Sequence, residues 1–416
     1  MHPKNISIAD FNYALPTERI ATHPLPERDS SRLLIYKNGN ITQDVYRNLG
    51  NHLPENSLLL FNDTRVIEAR LIFQKPTGGN IEIFCLEPHQ RYADITSAML
   101  QQGKVWWQCL VGGASKWKPG QVLEKKIGDA TNTVVLRAAY VEKNTGHFTI
   151  ELSWSPADLT FAEILHHAGA IPLPPYIKRK VEASDSERYQ TVYARTDGSV
   201  AAPTAGLHFT KALFDSLAKK NIATEYLTLH VGAGTFKPVK AATMEDHEMH
   251  AEFIDVTKKT IEKILAHLRG PVIAVGTTSL RTIESLYWLG VLLQNGKQVD
   301  ESSGVLELGQ WDAYECAQQD VPAENALRSL LDWMDEHASD NLIAKTRIII
   351  APGYKPRIAQ ALITNFHQPQ STLLLLLAAL VGEDWRKIYD YAMENDFRFL
   401  SYGDGSLIQF GNLAIW

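Results

Sequence analysis

The chain has 416 residues, 45% of them hydrophobic and 21% charged, and its formal net charge is −6. This is ordinary globular usage, so it excludes a disordered, collagen-like or coiled-coil chain, and at ~150 residues per domain the length predicts two or three domains. The three cysteines, Cys85, Cys109 and Cys316, have no C-x-x-C spacing, which argues against a disulfide framework and a structural zinc site. We therefore expect a protein of a reducing cytoplasm.

The sequence predicts no membrane partner. Residues 1–5 lack the apolar core of a signal peptide, and the longest apolar run, residues 373–381, falls short of the ~20 residues that a membrane span requires. The acidic net charge at first argues against a nucleic-acid partner as well.

In chain order, an apolar strand at residues 58–61 comes first, followed by a region in which we find strands alone. Glycine and proline turns separate six predicted strands at residues 66–73, 81–87, 105–111, 122–127, 134–141 and 147–152. A run of short strands without helices predicts a small all-β barrel or a compact sandwich. We therefore assign residues 66–152 to an inserted β-barrel domain.

After residue 203, short apolar strands alternate with amphipathic helices. Helices are predicted at residues 210–220, 257–268, 279–289 and 323–337 and twice within 372–395, and strands at 224–231, 272–275 and 348–350. This alternation predicts an α/β fold with a mostly parallel sheet covered by helices. Residues 1–65 and 153–416 then form one α/β catalytic domain, with a peripheral helical elaboration at residues 311–345.

Several common catalytic motifs are missing from the sequence. It contains no G-x-x-x-x-G-K-[ST], H-E-x-x-H or G-x-S-x-G, and the loop with Gly232 and Gly234 lacks the third glycine and acidic partner of a dinucleotide fingerprint. These absences disfavour NTPases, dehydrogenases, zincins and α/β-hydrolases.

Polar side chains follow the predicted strands, where open α/β sheets bind their ligands. Asp63 and Arg65 follow the first apolar strand and could bind a ligand there, but this segment alone favours an Asx turn. Thr204 and His208 belong to a segment of small residues that precedes a helix. His208 suits an acid or base near neutral pH, and a buried, hydrogen-bonded histidine explains it equally well.

Two further clusters lie between predicted strands. His230 and Thr235 flank a loop with a G-x-G spacing, which is a weak signal alone. Residues 246–252 bring His250 and Glu252 together with another histidine and more carboxylates. A third ligand at a familiar spacing is missing, so a hydrogen-bonded acid/base network is favoured over a metal site.

The segment around residues 276–284 leaves a buried strand and enters a helix through a glycine and three hydroxyl residues. Helix amino termini bind anions, and an arginine clamps a carboxylate, so we favour ligand binding over an ordinary helix cap. The binding candidates here are Thr277, Thr278, Ser279 and Arg281. Later strands are followed by Tyr354, Asn365 and His367. These clusters predict a polar small-molecule ligand that is contacted at many points.

Longer strings make the sequence recognisable. In chain order they are residues 14–21, 28–29, 61–65, 171–179, 187–194, 201–210, 229–236, 247–252, 276–281, 352–354, 362–367, 371–373 and 401–404. On these strings the chain resembles the S-adenosylmethionine:tRNA ribosyltransferase-isomerase family of queuosine biosynthesis. The strings run in order across nearly the whole chain.

The resemblance implies an α/β domain interrupted by a small β-barrel, and it implies a reaction. The ribosyl part of S-adenosylmethionine is transferred to 7-aminomethyl-7-deazaguanine at the tRNA wobble position and isomerised, giving epoxyqueuosine-tRNA with release of adenine and methionine. S-adenosylmethionine is then a cosubstrate, and neither a cofactor nor a metal is expected. The implied partners are this cosubstrate and a tRNA anticodon arm that carries the precursor base, and a monomer is favoured.

The implied chemistry suggests roles for the candidates. The sulfonium acidifies the adjacent C5′ hydrogen, which requires a base, and His208 and His250 are the best candidates. Asp63 or Tyr354 would support the departing adenine.

The methionine carboxylate requires a cation or a helix amino terminus, and residues 277–281, which include Arg281, offer both. Ribose hydroxyls suit Asn365 or Glu252. Further substrate-binding candidates are Arg65, Thr204, His230, Thr235 and His367.

A local basic cluster would reconcile tRNA binding with the acidic net charge, because affinity for phosphates depends on where Lys and Arg gather. The predicted RNA-binding residues are Lys178, Arg179, Lys180 and Arg188. Residues 112–118 replace a basic stretch that is usual in the family, and Gln370 stands where a lysine is common. These departures leave open a paralogue that acts on another acceptor, or an RNA-binding scaffold without turnover.

Overall fold

A computed structural model describes residues 2–92, 95–128, 133–144, 146–232, 239, 241–297 and 305–411. The helices in these ranges are α1 Ile95–Met99, α2 Phe161–Ala168, α3 Asp185–Arg188, α4 Lys211–Lys219, α5 Lys258–Ala266, α6 Thr277–Gln294, α7 Asp312–Glu315, α8 Ala323–Glu336, α9 Thr372–Val381 and α10 Asp384–Glu394. The strands up to residue 155 are β1 Arg32–Lys37, β2 Asn40–Val45, β3 Leu58–Asn62, β4 Thr64–Val66, β5 Arg70–Gln74, β6 Asn80–Pro88, β7 Lys104–Gly112, β8 Val122–Ile127, β9 Val134–Asn144 and β10 His147–Ser155. The later strands are β11 Gly169–Ala170, β12 Thr196–Ser199, β13 Ala223–Leu229, β14 Glu252–Thr257, β15 Val272–Val275, β16 Leu306–Leu308, β17 Asn341–Thr346, β18 Ala361–Asn365 and β19 Gly405–Gln409.

Ten strands form one large mixed sheet, in the order β16-β17-β14-β13-β3-β15-β18-β19-β1-β2. Its four central strands, β13-β3-β15-β18, are all parallel. The pairs β16-β17 and β19-β1 are parallel too, whereas β17-β14, β14-β13, β18-β19 and β1-β2 are antiparallel. Five of these nine pairs are therefore parallel. The predicted α/β fold is confirmed, with its parallel part at the centre of the sheet.

Helix α6 is buried along most of its length. It follows β15 and packs against the sheet on one side and against α8 on the other, and its residues from Ser279 to Val291 are buried. A Cβ atom on Gly290 would lie 2.0 Å from the carbonyl oxygen of Ala326, so glycine is what allows α8 to approach this closely. Because α6 directly follows β15, its amino terminus lies at the carboxyl end of the central strands.

The leucine-rich helix α9 is part of the core. Leu374 and Leu377 pack with Trp385 and Ile388 of α10, while Leu375 and Leu376 join two other core clusters. In the described ranges, no helix combines the length and the apolar character that crossing a bilayer would need.

The strand-only region forms a seven-stranded antiparallel sheet, in the order β11-β5-β6-β7-β10-β9-β8. Alternating residues such as Trp107, Leu136 and Ile150 fill its core. Lys125 of β8 donates to the carbonyl of Ala168 at 2.6 Å, so one end of the sheet approaches the other.

The six predicted strands of this region are all present. Five of them end within three residues of the prediction, and the first is divided into β4 and β5. The sheet also includes β11, beyond the predicted boundary at residue 152. Residues 66–152 as a separate inserted barrel stay a prediction.

Two predictions for the carboxyl-terminal half are wrong. Residues 348–350 are a buried non-strand segment, and the strand is β17, which ends at Thr346. The Thr346 hydroxyl accepts from the Ile348 N–H at 3.1 Å and the Tyr314 hydroxyl donates to the Ile349 carbonyl at 3.1 Å, so side chains replace a strand ladder there. Residues 311–345 are not peripheral either, because α8 packs on α6 and β17 lies inside the large sheet.

Candidate active site

The carboxyl ends of the four central strands lie along one edge of the large sheet. The chain leaves β13 at His230, β3 at Asp63, β15 at Gly276 and β18 at Phe366. This is the edge at which parallel α/β sheets bind their ligands.

A cavity of about 110 Å³ opens at this edge. Its lining consists of Tyr176, Tyr189, residues 201–205, Val231, residues 276–278, residues 364–369, Ser371, Leu373, Leu400 and Ser401. The predicted site residues that line it are Thr204, Thr277, Thr278, Asn365 and His367. No Asp, Glu, Lys or Arg appears in this described lining, so the groups that its wall offers are dipoles, hydroxyls and aromatic rings.

The amino terminus of α6 forms one wall of the cavity. Gly276 precedes the helix with φ +92°, a conformation that L side chains rarely adopt, and as the N-cap residue it has no side chain to cap the first turn. The first N–H groups of a helix have no partner within the helix and carry the positive end of its dipole. The Thr278 Oγ1 atom is buried and has no hydrogen-bond partner among the described residues. This wall is suited to an anionic group.

Asn365 ends β18 beside that wall and is buried. Its Nδ2 atom donates to the Leu400 carbonyl at 3.1 Å and lies 3.2 Å from Nε2 of His208. The Asn365 Oδ1 atom is buried without a hydrogen-bond partner in the described part of the chain. Asn365 therefore lines the cavity and contains a buried acceptor for which the described residues provide no hydrogen-bond partner.

His208 lies behind this wall and is absent from the cavity lining. Its ring stacks on Tyr46, with ring centroids 4.2 Å apart and planes 20° apart. Burial lowers the pKa of His208 to about 4, so the ring is neutral at pH 7.

His367 is the predicted histidine that does line the cavity. Its Nε2 atom lies 3.1 Å from the Thr364 hydroxyl, and its backbone N–H donates to the Tyr389 hydroxyl at 2.8 Å. Burial lowers the pKa of His367 to about 3, so this ring is also uncharged at neutral pH.

Asp63, Arg65 and His230 lie at the same edge, outside the lining. Asp63 accepts from the Thr228 hydroxyl at 2.7 Å, and burial raises the pKa of its carboxyl group. Nδ1 of His230 is 3.4 Å from the Thr64 hydroxyl. Arg65 is exposed, and its Nε atom is 3.8 Å from the Asp197 carboxylate.

The predicted anion clamp Arg281 is absent from the described cavity lining, and its Nη2 atom is buried without a hydrogen-bond partner among the described residues. It pairs with Glu252 in a buried ion pair and donates from Nε to the Ile348 carbonyl at 3.2 Å. Ser279 is also turned inward, because its hydroxyl donates to the Val275 carbonyl at 2.8 Å. Of the four binding candidates in the helix-entry segment, only Thr277 and Thr278 belong to the described lining.

Tyr354 belongs to a buried cluster around Glu284, in the middle of α6. The Tyr354 hydroxyl donates to Glu284 Oε2 at 2.7 Å and accepts from Trp288 Nε1 at 2.8 Å. Glu284 also accepts the backbone N–H groups of Arg357, Ile358 and Ala359 at 2.7 to 3.1 Å. This arrangement ties the loop after residue 351 to α6.

His250 is exposed and precedes β14. Because β14 pairs antiparallel with β13, with Ile254 opposite Leu229, the chain enters β14 at the edge that holds the cavity. Among the described residues, no three His, Cys, Asp or Glu side chains are grouped to hold a metal ion. Thr235 lies outside the described residues.

Comparison with known proteins identifies the family. The family model described as "Queuosine biosynthesis protein" matches residues 8–408. The chain belongs to this family.

Its relatives carry one name. Proteins named S-adenosylmethionine:tRNA ribosyltransferase-isomerase are 36% identical over 407 residues in Pelobacter propionicus and 37% identical over 406 residues in Chlorobaculum parvum. These alignments cover 97% and 96% of this chain and 99% of each relative. A solved structure titled S-adenosylmethionine tRNA ribosyltransferase from Thermotoga maritima is 26% identical, covers 96% of this chain and 99% of its own, and has a TM-score of 0.45. The resemblance found in the sequence is confirmed, and the chain is an enzyme of the S-adenosylmethionine:tRNA ribosyltransferase-isomerase family.

Sequence reasoning missed the aromatic side of this family member's cavity. Tyr176 and Tyr189 line it, and the Tyr176 hydroxyl lies 2.6 Å from the Ser401 hydroxyl. All three residues belong to strings that carry the family resemblance, but an isolated tyrosine in a loop gives no local signal of a binding site.

The four predicted RNA-binding residues divide into two pairs. Arg179 makes a bidentate ion pair with the buried Asp185, with both N–O distances 2.7 Å, and Arg188 donates to the backbone carbonyls that precede Glu27. Lys178 and Lys180 are exposed. Within this family member, the lysines are available to a partner, whereas the arginines hold the loop that carries Tyr176 and Tyr189.

Proposed function

We propose that the chain transfers the ribosyl moiety of S-adenosylmethionine to 7-aminomethyl-7-deazaguanine at the tRNA wobble position and isomerises it. The products are epoxyqueuosine-tRNA, adenine and methionine. Family membership supports the reaction class. The observation that supports this site is the cavity at the sheet edge. Its described wall carries no charged side chain and includes a helix amino terminus and a buried threonine hydroxyl without a described partner.

The methionine carboxylate binds at the start of α6. The backbone N–H groups and hydroxyls of Thr277 and Thr278 suit an anion, and no arginine is needed, because the helix dipole and free N–H groups act together. Tyr176 and Tyr189 offer aromatic surface for the nucleoside, with the small residues 201–205 allowing a flat ring to approach the backbone.

His250 is the better of the two predicted bases. His250 is exposed at the sheet edge that holds the cavity, whereas His208 is buried, contacts Asn365 and has a pKa of about 4. A base needs a pKa near the working pH and a path to the C5′ proton.

Asp63 is the better of the two predicted groups for supporting the departing adenine. Burial raises its pKa and so favours the protonated, donating form. The Tyr354 hydroxyl is already donated to Glu284.

The tRNA anticodon arm approaches over Lys178 and Lys180, which lie close in sequence to the cavity-lining Tyr176. Replacing both lysines with alanine should weaken tRNA binding and reduce its salt dependence by about two charges. The cosubstrate affinity of the double variant should not change. S-adenosylmethionine acts as a cosubstrate, and the proposed reaction needs no resident cofactor.

Release of free adenine from S-adenosylmethionine tests this function. The assay compares tRNA that carries the precursor base, tRNA without it and no RNA. Release only with the precursor supports the proposal. Release without tRNA would point to another acceptor, and tRNA binding without any release would point to a scaffold.

A further inference from the structure

The amide of Asn365 is held in one orientation. Its Nδ2 atom lies 3.1 Å from the Leu400 carbonyl oxygen and 3.5 Å from the Asp404 carbonyl oxygen. Exchanging the amide oxygen and nitrogen would set an oxygen against two carbonyl oxygens, which is repulsive. The acceptor Oδ1 therefore stays on the other side of the amide, buried and without a partner among the described residues.

His208 also contacts the Asn365 amide and lies outside the cavity lining. The 3.2 Å contact between its Nε2 and Asn365 Nδ2 supplies a third acceptor to an amide that has only two N–H hydrogens. The stack on Tyr46 fixes the plane of the imidazole. A neutral imidazole with its proton on Nδ1 accepts at Nε2, and burial keeps the ring of His208 neutral.

Asn365 lies next to the start of α6. β15 and β18 are parallel neighbours with Val275 opposite Ile363, and the Gly276 N–H donates to the Ile363 carbonyl at 2.8 Å. Neighbouring strands are roughly 4.8 Å apart, so Asn365 and the first turn of α6 border the same part of the cavity. In an α-amino acid, one carbon atom separates the carboxylate from the ammonium group.

We propose that Asn365 Oδ1 accepts a hydrogen bond from the α-ammonium group of S-adenosylmethionine, and that His208 is a positioning residue that holds the amide for this contact. The inference rests on the proposed function and deepens it. It assigns the amino acid end of the cosubstrate to two adjacent walls: α6 binds the carboxylate and Asn365 binds the ammonium. A hydrogen bond to a charged donor is stronger than a neutral one, which makes Asn365 a determinant of specificity.

Calorimetric titrations of wild type and Asn365→Ala test the ligand contact. S-adenosylmethionine should bind Asn365→Ala roughly 10- to 100-fold more weakly. 5′-Methylthioadenosine, which lacks the amino acid, should bind both proteins equally, and decarboxylated S-adenosylmethionine, which keeps the amine, should show the full loss. Asn325→Ala, an exposed residue of α8, is the matched control. Equal losses for all three ligands would place Asn365 on the nucleoside instead and overturn the proposal, as would no loss.

Two substitutions of His208 test the positioning role. His208→Phe keeps a ring for the stack on Tyr46 but removes the acceptor, and His208→Gln places an amide oxygen near the position of Nε2. We expect His208→Phe to weaken S-adenosylmethionine binding at least fivefold, His208→Gln to restore it, and the double variant with Asn365→Ala to bind no worse than Asn365→Ala alone. Loss of turnover with unchanged affinity in His208→Phe, without rescue by glutamine, would make His208 a catalytic base and overturn this role. Thermal unfolding identifies variants that fail to fold, and the Asn365→Ala titrations then decide.

The adenine-release assay separates this inference from the proposed function. Wild-type protein that shows the expected binding pattern but releases no adenine with precursor tRNA would overturn the function alone. Adenine release together with normal binding by Asn365→Ala would overturn the inference alone. Failure of wild type to bind S-adenosylmethionine would overturn both.

Discussion

Two polar clusters lie along α6, and they differ in whether their hydrogen bonds are complete. At the amino terminus, Thr278 and Asn365 each leave a buried oxygen without a described partner, and a cavity adjoins them. In the middle of the helix, Glu284 receives the Tyr354 hydroxyl and three backbone N–H groups. Buried polar groups are nearly always paired, so the incomplete cluster points to a ligand and the complete one to structure.

The comparison predicts the largest loss of stability at Glu284. Glu284→Ala removes the acceptor of four donors, the Tyr354 hydroxyl and three backbone N–H groups, and should lower the free energy of unfolding by about 4 kcal/mol. Urea unfolding measures this change. The matched control is Glu324→Ala, an exposed residue of α8, which should change it by less than about 0.5 kcal/mol. A similarly small change in Glu284→Ala would contradict the structural role of the Glu284 cluster.

The second prediction concerns the pH dependence of stability at His208, which contacts Asn365 in the cavity wall. Its folded pKa of about 4 lies below the ordinary 6.5, so between these values the unfolded chain binds a proton that the folded chain does not. The stability contribution is present above pH 6.5 and is lost as the pH falls to about 4, by up to about 3 kcal/mol.

Urea unfolding of wild type and His208→Gln across pH 7 to 4 measures this effect. The variant should lose less stability than wild type over this range. His337→Gln, at an exposed position, should follow the wild-type curve. Parallel curves for wild type and His208→Gln would show that His208 is not buried as a neutral ring.

Tyr354→Phe removes one hydroxyl from the complete cluster. The hydroxyl bridges Trp288 and Glu284, so its loss should lower the free energy of unfolding by about 1 to 2 kcal/mol. The KM for S-adenosylmethionine should stay within twofold of wild type. A large fall in adenine release with unchanged stability would instead indicate that Tyr354 takes part in the reaction.

Thr278→Val removes one hydroxyl from the incomplete cluster and keeps the side-chain shape. The hydroxyl has no described protein partner, so the free energy of unfolding should change by less than about 0.5 kcal/mol. S-adenosylmethionine should bind about fivefold more weakly by calorimetry, which corresponds to about 1 kcal/mol. Thr282→Val on the next turn is a buried control, whose hydroxyl donates to the Thr278 carbonyl at 3.0 Å. A loss of stability without a loss of affinity in Thr278→Val would contradict the role of the Thr278 hydroxyl in binding and assign it to folding stability.

The sequence predicts elements well where one local pattern decides them. The strand at residues 122–127 is found with the predicted ends, because alternation and flanking turns define it. The strand predicted at residues 348–350 is wrong. An apolar run fits a strand, but it also fits a buried segment whose backbone forms hydrogen bonds with the side chains of Tyr314 and Thr346.

The prediction of site residues has the same limit, because a local sequence pattern does not show contacts with distant residues. Residues at strand ends were found as a group because parallel strands share an edge, and five of them line the cavity. The sequence does not tell which polar groups are already paired, so Arg281 and Tyr354 resemble Thr278 and Asn365 until their partners are known. Pairing depends on residues distant in the chain, such as Glu252 for Arg281.

A crystal structure of the protein with S-adenosylmethionine tests the central claim most directly. We expect density in the cavity at the start of α6, with the methionine carboxylate within about 3 Å of the Thr277 and Thr278 N–H groups and the ammonium within about 3 Å of Asn365 Oδ1. A cosubstrate bound elsewhere, for example with its carboxylate on Arg281 in place of Glu252, would contradict it.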